Sequence, residues 1–290
     1  MNTIVIKALA KINLAIDVLD RRKDNYHNID MVTIPLMLHD SIEITRLPHG
    51  YDTYLFCDDP TIVCDESNLA YKALEEMRKA FDVKESFKIF IYKKIPVEAG
   101  LGGGSADAAA IIKAIDHYLP PFPEKERKEN DLAITIGSDV PFCLYDRPSR
   151  VQGKGEILTP IKVGYPYHVL IVKPPFGLST KSVYEAFDTV TEEIRRPNIE
   201  KLISALEKDD ERGMKEELVN VLSVPAIKAL PLIGDLLRQM EQMGLSLSGM
   251  SGTGSACFAL SKDKRLLERC AHVFEKEGNK AYVTQFGIRL

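Results

Sequence analysis

Residues Pro96–Ala110 read PVEAGLGGGSADAAA, a stretch in which four glycines lead directly into a run rich in alanine. Glycine can adopt a positive φ and lets the backbone approach a ligand closely, while alanine is the strongest helix former. The first N–H groups of a helix have no internal partner, and together with the positive end of the helix dipole they attract an anion. The stretch therefore predicts a glycine loop and a helix start that bind a nucleotide phosphate.

Two common phosphate-binding patterns do not match this loop. A P-loop requires Lys and then Ser or Thr directly after its last glycine, whereas Ser105 and Ala106 follow here. The dinucleotide-binding pattern requires Gly-x-Gly-x-x-Gly near the start of a βαβ unit. A flexible turn or a tight packing site is the alternative, because glycine clusters are usually turns. Three glycines at a helix start, however, carry an entropic cost that packing alone does not require.

Length and composition indicate a two-domain globular protein. The chain has 290 residues, which exceeds the usual size of one domain, and 45% of them are hydrophobic. The pattern changes between Gly155 and Pro160, so we predict one domain over residues 1–158 and a second over residues 159–290. The net charge of −4 and the isoelectric point near 5.9 provide no overall positive field for nucleic acid. We therefore expect no nucleic-acid partner.

The cysteines and the amino terminus indicate a cytoplasmic protein. The five cysteines are an odd number, lie far apart, and form neither a Cys-x-x-Cys pair nor a zinc-ligand pattern with histidine. They are expected to be reduced structural thiols. The first residues lack the basic and then apolar layout of a signal peptide, and no apolar run approaches the ~20 residues of a membrane span. We expect no membrane partner.

Periodicity predicts helices and strands that are interleaved without a regular βαβ repeat, which favours two α+β units. The predicted strands are Thr3–Ala8, Ala10–Leu19, Ser41–Arg46, Thr53–Cys57, Ser86–Tyr92, Tyr167–Lys173, Cys257–Leu260 and Ala281–Phe286. The predicted helices are Asn68–Phe81, Ser105–Tyr118, Lys181–Val190, Ile199–Lys208, Leu230–Met243 and Lys264–Glu277.

Polar residues interrupt the apolar start of the chain at two positions. Lys11 and Asn13 lie on one face of the predicted strand, and Ile12, Leu14 and Ile16 lie on the other. The polar pair is therefore either solvated or lines a cleft.

Several motifs in this order resemble the GHMP small-molecule kinases, and most closely the branch that acts on 4-diphosphocytidyl-2-C-methyl-D-erythritol. They are spread over nearly the whole chain and are jointly very specific. The matching segments are Ala10-Lys11-Ile12-Asn13-Leu14, Tyr26-His27, Ile95–Ala109, Gly137–Phe142, Gly155-Glu156 and Met250–Gly254.

The resemblance implies an α+β, two-domain GHMP kinase fold. Its N-terminal domain, which binds ATP and carries the catalytic residues, is similar to ribosomal protein S5 domain 2, its C-terminal domain is ferredoxin-like, and the active site is expected in the cleft between them. The implied activity is ATP-dependent phosphorylation of the 2-hydroxyl of the cytidyl substrate, in the non-mevalonate pathway to isoprenoid precursors. A kinase of another small alcohol, or a nucleotide-binding descendant without catalysis, is the alternative. The partner is a small cytidine diphosphate, and the chain is expected to be a monomer or weak dimer.

The resemblance assigns Asp139 as the catalytic base and Lys11 as its partner. A carboxylate beside an ammonium stays ionised and fixed in position, as proton removal from an acceptor hydroxyl requires. In isolation, Asp139 reads as a turn residue or a helix cap before Val140 and Pro141. Mg²⁺ is expected as the ATP complex, but no carboxylate is marked as its ligand.

The resemblance also implies which residues contact ATP. The phosphates are expected against Pro96, Val97, Glu98, Ala99, Gly100, Leu101, Gly102, Gly103, Gly104, Ser105 and Ala106. Asn68, Lys93 and Asp107 fall where the family places nucleoside contacts. Asn68 also reads as a helix cap, and Lys93 as a solvated charge on a strand.

The cytidine site of the family falls on Tyr26 and His27, with Asn13, Thr180 and Tyr184 as further substrate contacts. An aromatic ring can stack on a base, and a histidine can hydrogen-bond its edge. The alternatives are a half-exposed loop pair for Tyr26 and His27 and a buried helix face for Tyr184.

The glycine turn Gly252-Thr253-Gly254 binds substrate or phosphate through its N–H groups, or is a plain hairpin turn. Two residues depart from the family pattern. Asn25 replaces a usual glycine and is expected to keep the left-handed turn, and Ala106 replaces a frequent serine and removes a hydroxyl from the loop.

Overall fold

The structure is a computed structural model that describes residues 3–48, 50–119 and 125–287. The chain forms two compact units built from interleaved segments. The first unit contains Met1–Ala10, Leu38–Ile95 and Gly102–Asp146, and the second contains Lys11–Met37, Pro96–Leu101 and Arg147–Leu290. The proposed domain boundary after residue 158 stays a prediction.

The described strands are β1 (Thr3–Arg21), β2 (His27–Arg46), β3 (Tyr54–Cys57), β4 (Phe87–Tyr92), β5 (Ser149–Gly153), β6 (Ile157–Pro160), β7 (His168–Lys173), β8 (Leu247–Met250), β9 (Cys257–Ser261) and β10 (Lys280–Gln285). The described helices are α1 (Leu69–Phe81), α2 (Gly103–Asp116), α3 (Lys125–Ile136), α4 (Val140–Tyr145), α5 (Thr180–Phe187), α6 (Ile199–Lys208), α7 (Glu211–Glu217), α8 (Ser223–Ala229), α9 (Leu232–Gln242) and α10 (Lys264–Lys276).

The first strand is one continuous element and not two. All residues from Ala10 to Ile16 are buried, including Lys11 and Asn13, so the two faces of β1 are both covered in this region. The interpretation of a solvated polar pair is therefore wrong. The second strand begins at His27, well before the predicted start at Ser41, because its continuous buried run lacks the two-residue alternation on which the prediction depended.

In the first unit, helices cover a small sheet. The second half of β2 pairs antiparallel with β4, and β4 pairs in parallel with β3. Helix α2 packs against α1 and α4 and is buried along most of its length. It begins at Gly103, two residues before the predicted start. Its alanines leave room for a close approach of neighbouring backbone.

In the second unit, the first half of β2 pairs with β5, and β5 pairs with β6. A separate four-stranded antiparallel sheet has the order β10-β7-β9-β8, and α9 and α10 pack on it. The combination of helices with largely antiparallel sheets confirms the predicted α+β class.

All five cysteines are free thiols. Within the described ranges, no helix has both the length and the apolar character that a membrane crossing requires.

Candidate active site

The carbonyl groups of the glycine loop are held by the second unit. In that unit, four successive loop carbonyls accept hydrogen bonds. The donors are the N–H of Ser255 to Glu98 (3.4 Å), the N–H of Ala256 to Ala99 (3.3 Å), the hydroxyl of Ser251 to Gly100 (2.9 Å) and the N–H of Lys11 to Leu101 (3.0 Å). Among the described residues, the N–H groups of Val97 to Leu101 donate to no protein atom. The carbonyl oxygens of the loop are thus bonded within the protein, while its N–H groups are available to bind an anion.

Gly100 lies so close to the second glycine turn that no side chain fits. A Cβ atom at this position would stand 2.1 Å from the backbone oxygen of Ser251, and Gly100 has a φ of +71°. The hydroxyl of Ser251 also accepts the N–H of Asn13. The turn joins β8 to β9, so the hairpin interpretation is confirmed, and the turn packs against the glycine loop. Direct contact of its N–H groups with a ligand stays a prediction.

The helix that follows the loop begins at a left-handed glycine. Gly102 has a φ of +71° and occupies the N-cap position of α2, where no side-chain cap hydrogen bond forms within the described ranges. At Gly103, a Cβ atom would meet Ile95 at 3.2 Å and Lys93 Nζ at 3.3 Å. The N-terminus of α2 therefore presents bare backbone donors and their dipole, which suits a phosphate.

Lys11 is a buried cation on β1 that neighbouring polar groups orient. Its Nζ donates to Asn13 Oδ1 at 2.7 Å, and the amide nitrogen of Asn13 donates to Thr33 Oγ1 at 3.0 Å. Because its own backbone N–H bonds the carbonyl of Leu101, Lys11 is tied to the end of the loop. Asn13 thus orients Lys11, and its contact with a substrate stays a prediction.

Asp139 is the residue immediately before α4, at its N-cap position, and is half-buried. Its carboxylate makes no capping hydrogen bond to α4, so the helix-cap interpretation accounts for its position but not for its side chain. The turn that carries it lies beside the start of α2, because a Cβ atom on Gly137 would be 3.9 Å from Ser105 Oγ. Within the first unit, the predicted base is therefore near the predicted phosphate-binding helix.

The three predicted nucleoside residues belong to the first unit. Asn68 caps α1, since its Oδ1 accepts the N–H of Ala70 at 2.9 Å, and its amide donates to the carbonyl of Val63. This confirms the cap interpretation. Lys93 is not a solvated charge, because its side chain is buried and bonds Asp107 at 2.9 Å. Contact of these residues with a nucleoside stays a prediction.

The predicted cytidine residues come together in the second unit. The rings of His27 and Tyr184 stack with centroids 5.4 Å apart and planes at 22°, and His27 Nε2 lies 2.7 Å from Asp188. Tyr26 is 54% exposed, and Lys154 Nζ lies over its ring, 5.3 Å from the ring centroid. Tyr184 is only partly buried, which does not fit the buried helix face considered as its alternative, and stacking of its ring on a base stays a prediction.

Three further features of this region bear on the sequence predictions. Thr180 Oγ1 lies 3.2 Å from Thr253 Oγ1, in the glycine turn. Asn25 has a φ of +67°, as expected for its place in a left-handed turn. Asp188 and Lys154 were missed, because no local pattern links them to residues more than a hundred positions earlier.

Comparisons with known proteins agree with this layout. The family pattern described as GHMP kinases N terminal domain matches residues 68–147, and that described as GHMP kinases C terminal matches residues 202–280. A protein of Clostridium botulinum (strain Eklund 17B / Type B) named 4-diphosphocytidyl-2-C-methyl-D-erythritol kinase is 34% identical over 97% of this chain and 99% of its own length. One of the same name from Geobacillus thermodenitrificans is 37% identical over 91% of this chain and 90% of its own length.

Solved structures give the same picture. A crystal structure of 4-(cytidine 5'-diphospho)-2C-methyl-D-erythritol kinase has a TM-score of 0.80 and 29% identity, and the match covers 98% of this chain and 100% of the other. The homoserine kinase of Cytophaga hutchinsonii has a TM-score of 0.74 at 16% identity, over 98% of this chain and 95% of the other, and shows a shared fold.

Gly100→Ala should destabilise the protein by on the order of 2–4 kcal/mol, because the new methyl group meets backbone and a left-handed φ disfavours any side chain. The free energy of unfolding from urea titration measures this loss. Gly244→Ala is the matched control, since Gly244 has a φ of +84° but a Cβ atom there would meet no atom within 4 Å among the described residues beyond its chain neighbours. It should lose only about 1–2 kcal/mol. Equal losses in the two variants would show that contact with Ser251 does not constrain the loop.

Asp107 should make stability fall as pH rises. Burial raises the pKa of Asp107 to about 7; Lys93 opposes this rise and the charge of Asp40 adds to it. The unfolded pKa is about 3.9, so the folded protein holds an extra proton and loses this contribution between about pH 4 and 7. Between pH 5 and 8, the unfolding free energy of the unsubstituted protein should fall relative to that of Asp107→Asn.

A suitable control is Asp65→Asn. Hydrogen bonds from Ser67 lower the pKa of Asp65, so its titration lies below this pH range and the difference from the unsubstituted protein should stay flat. If the profile of Asp107→Asn ran parallel to that of the unsubstituted protein as well, Asp107 would not titrate in this range.

Proposed function

The chain belongs to the GHMP kinases, and from this premise we propose that it transfers the γ-phosphoryl group of ATP to the 2-hydroxyl of 4-diphosphocytidyl-2-C-methyl-D-erythritol. The observation that carries the proposal is the match, over nearly its full length, to relatives named for that reaction. The glycine loop gives the physical reason for a phosphoryl donor. We expect the reaction in the cytoplasm.

The loop and α2 supply the donors for ATP. Loop N–H groups that bond no acceptor in the described part of the chain, and the start of α2, can stabilise the negative charge that spreads over the transferred phosphoryl group. These groups are fixed in advance, because four loop carbonyls are already bonded. Little reorganisation is then needed when the nucleotide binds.

Mg²⁺ is part of the proposal as the ion that accompanies ATP. The described residues contain no group of three His, Cys, Asp or Glu side chains that could hold a metal. This fits an ion held mainly by phosphates and water with one or two carboxylates. When bound, Mg²⁺ neutralises charge on the phosphates.

Asp139 is proposed to accept the proton of the acceptor hydroxyl, and Lys11 to stabilise charge on the reacting groups. Asp139 directly precedes α4, and the turn that carries it lies beside the start of α2 within the first unit. Lys11 is buried and oriented by Asn13, which gives its ammonium a defined position. A buried cation acts strongly on nearby negative charge, since little water screens it.

The acceptor is proposed to bind through its cytidine at the cluster of Tyr26, His27 and Tyr184. The exposed ring of Tyr26 offers a face for stacking on a base. Nε2 of His27 forms a hydrogen bond with Asp188, so Nδ1 of His27 is the ring nitrogen proposed to bond the base. The hydroxyl of Thr180 and the amide of Asn13 belong to the same unit and are proposed as further substrate contacts.

Asp139→Asn should lower kcat by about a thousandfold, because an amide cannot accept the hydroxyl proton. The affinity for ATP should change by no more than a few fold. Steady-state kinetics with the cytidyl substrate, together with calorimetry of ATP binding, measures both. Asp263→Asn is the control, since Asp263 also precedes a helix but caps α10 through a bond to Leu266. Full turnover in Asp139→Asn would refute the assignment of the base.

Tyr26→Ala should lower kcat/KM for the cytidyl substrate roughly 5- to 150-fold, which corresponds to the loss of one base-stacking contact. KM for ATP should not change, and Tyr26→Phe should keep most of the activity. Tyr51→Ala, which removes a similarly exposed tyrosine from the first unit, is the control. An acceptor that lacks cytidine should react poorly. If it reacted as well as the cytidyl substrate, the chain would be a kinase of another alcohol.

A further inference from the structure

The first unit buries two carboxylates around one ammonium. Lys93 Nζ lies 2.5 Å from Asp40 Oδ2 and 2.9 Å from Asp107 Oδ2. The side chains of all three are buried, and Asp40 is completely inaccessible to solvent. We call these three residues the acid-lysine cluster.

The members of the cluster come from the two sides of the glycine loop. Lys93 directly follows β4, on the amino-terminal side of the loop, and Asp107 lies in α2, on its carboxyl-terminal side. Asp40 comes from the middle of β2, more than fifty residues earlier. A single ammonium therefore links the strand that leads into the loop with the helix that leaves it.

Asp40 also holds the backbone immediately before the loop. Its Oδ1 accepts the N–H of Lys94 at 2.5 Å and the N–H of Ile95 at 2.8 Å. The next residue is Pro96, where the loop begins. Asp40 thus uses one oxygen to fix the chain before the loop and the other to fix Lys93.

Lys93 in turn lies against the start of α2. A Cβ atom on Gly103 would be 3.3 Å from Lys93 Nζ, so the ammonium occupies the space beside the first residue of the helix. Although burial lowers the pKa of Lys93, the charges of Asp107 and Asp40 raise it above its usual value. The cation is therefore retained at neutral pH.

We propose that Asp40 is a positioning residue for ATP, which holds the two ends of the glycine loop in register through the N–H groups of residues 94 and 95 and through Lys93. This inference rests on the proposed binding of ATP by the glycine loop. Asp40 has no contact with solvent and acts through the backbone and Lys93, so it is not a catalytic residue.

A merely structural role would have a different signature. Buried ion pairs contribute little net stability, because the cost of desolvation offsets their attraction. If the cluster only stabilised the fold, its loss would lower the unfolding free energy and leave the ATP affinity of the folded protein unchanged. If it sets the loop geometry, ATP affinity falls in protein that is still folded.

The test is Asp40→Asn, with equilibrium binding of a non-hydrolysable ATP analogue measured by calorimetry without any acceptor. An asparagine can keep its oxygen toward the two N–H groups, but then its amide faces Lys93 and the contact with the cation is lost. We expect Kd for the analogue to rise about tenfold. KM for the cytidyl substrate should stay within about twofold, since the loop does not hold the acceptor.

The matched control is Asp30→Asn. Asp30 lies on the same strand, its side chain is 14% exposed, and it accepts hydrogen bonds from Arg150 on both oxygens at 2.8 and 2.6 Å. Among the described residues, Asp30 makes no hydrogen bond to the loop. It should bind the analogue with unchanged affinity. Equal weakening in Asp30→Asn and Asp40→Asn would overturn the inference, and so would an unchanged Kd in folded Asp40→Asn.

Asp40→Glu provides a second variant if Asp40→Asn does not fold. It keeps the charge but adds a methylene in a space without solvent, so it moves both oxygens and should also weaken binding of the analogue. An unchanged Kd in folded Asp40→Glu would overturn the inference. If the unsubstituted protein did not bind the analogue, the proposed function would fail together with the inference. If the unsubstituted protein and Asp40→Asn bound the analogue with the same Kd, the inference about Asp40 would be wrong and the proposed function would stand.

Discussion

The contact between Gly100 and Ser251 is the constraint on which the geometry of the glycine loop depends. A carbonyl and a hydroxyl of the same serine meet the same glycine, one by close packing and the other by a hydrogen bond. This fixes the direction of the loop peptides, because a peptide whose carbonyl is bonded on one side presents its N–H on the other. The orientation of the loop peptides, on which the proposed anion binding depends, is therefore set by a hairpin turn about 150 residues away in sequence.

Local signals predicted six of the described helices but missed α3, α4, α7 and α8, and among the described strands they missed β5, β6 and β8. Helix α6 was predicted at both ends, because Asn198 caps its start and its apolar residues follow a regular helical period. The first half of β2 was missed, because its residues from Met31 to Leu36 are all buried and therefore show no alternation. The start of α2 was placed at Ser105, because glycine has a low helix propensity, and close packing on Ile95 outweighs that propensity at Gly103.

The candidate site could be predicted only in part, for a related reason. Sequence motifs identify residues that keep a fixed order along the chain, such as the glycine loop, Lys11 and Asp139. They do not identify groups that support these residues from distant segments. Asp188, which bonds His27, lies 161 positions away from it, and Asp40 lies 53 positions from Lys93. A lone aspartate in a strand carries no local pattern, so only the folded chain reveals such partners.

The acid-lysine cluster is unfavourable as a means of stabilising a fold, because burying its three side chains costs desolvation free energy. Moving one ammonium and two acidic side chains out of water costs more than their attraction returns, unless hydrogen bonds satisfy the remaining oxygens. Asp40 meets that condition, because its two oxygens accept three donors. Asp107 does not, since its Oδ1 has no partner among the described residues. Apolar side chains of similar volume would stabilise this part of the first unit at lower cost, but they could not hold two N–H groups and a cation in one geometry. The cluster is therefore better explained by the position it gives to the loop than by the stability it adds.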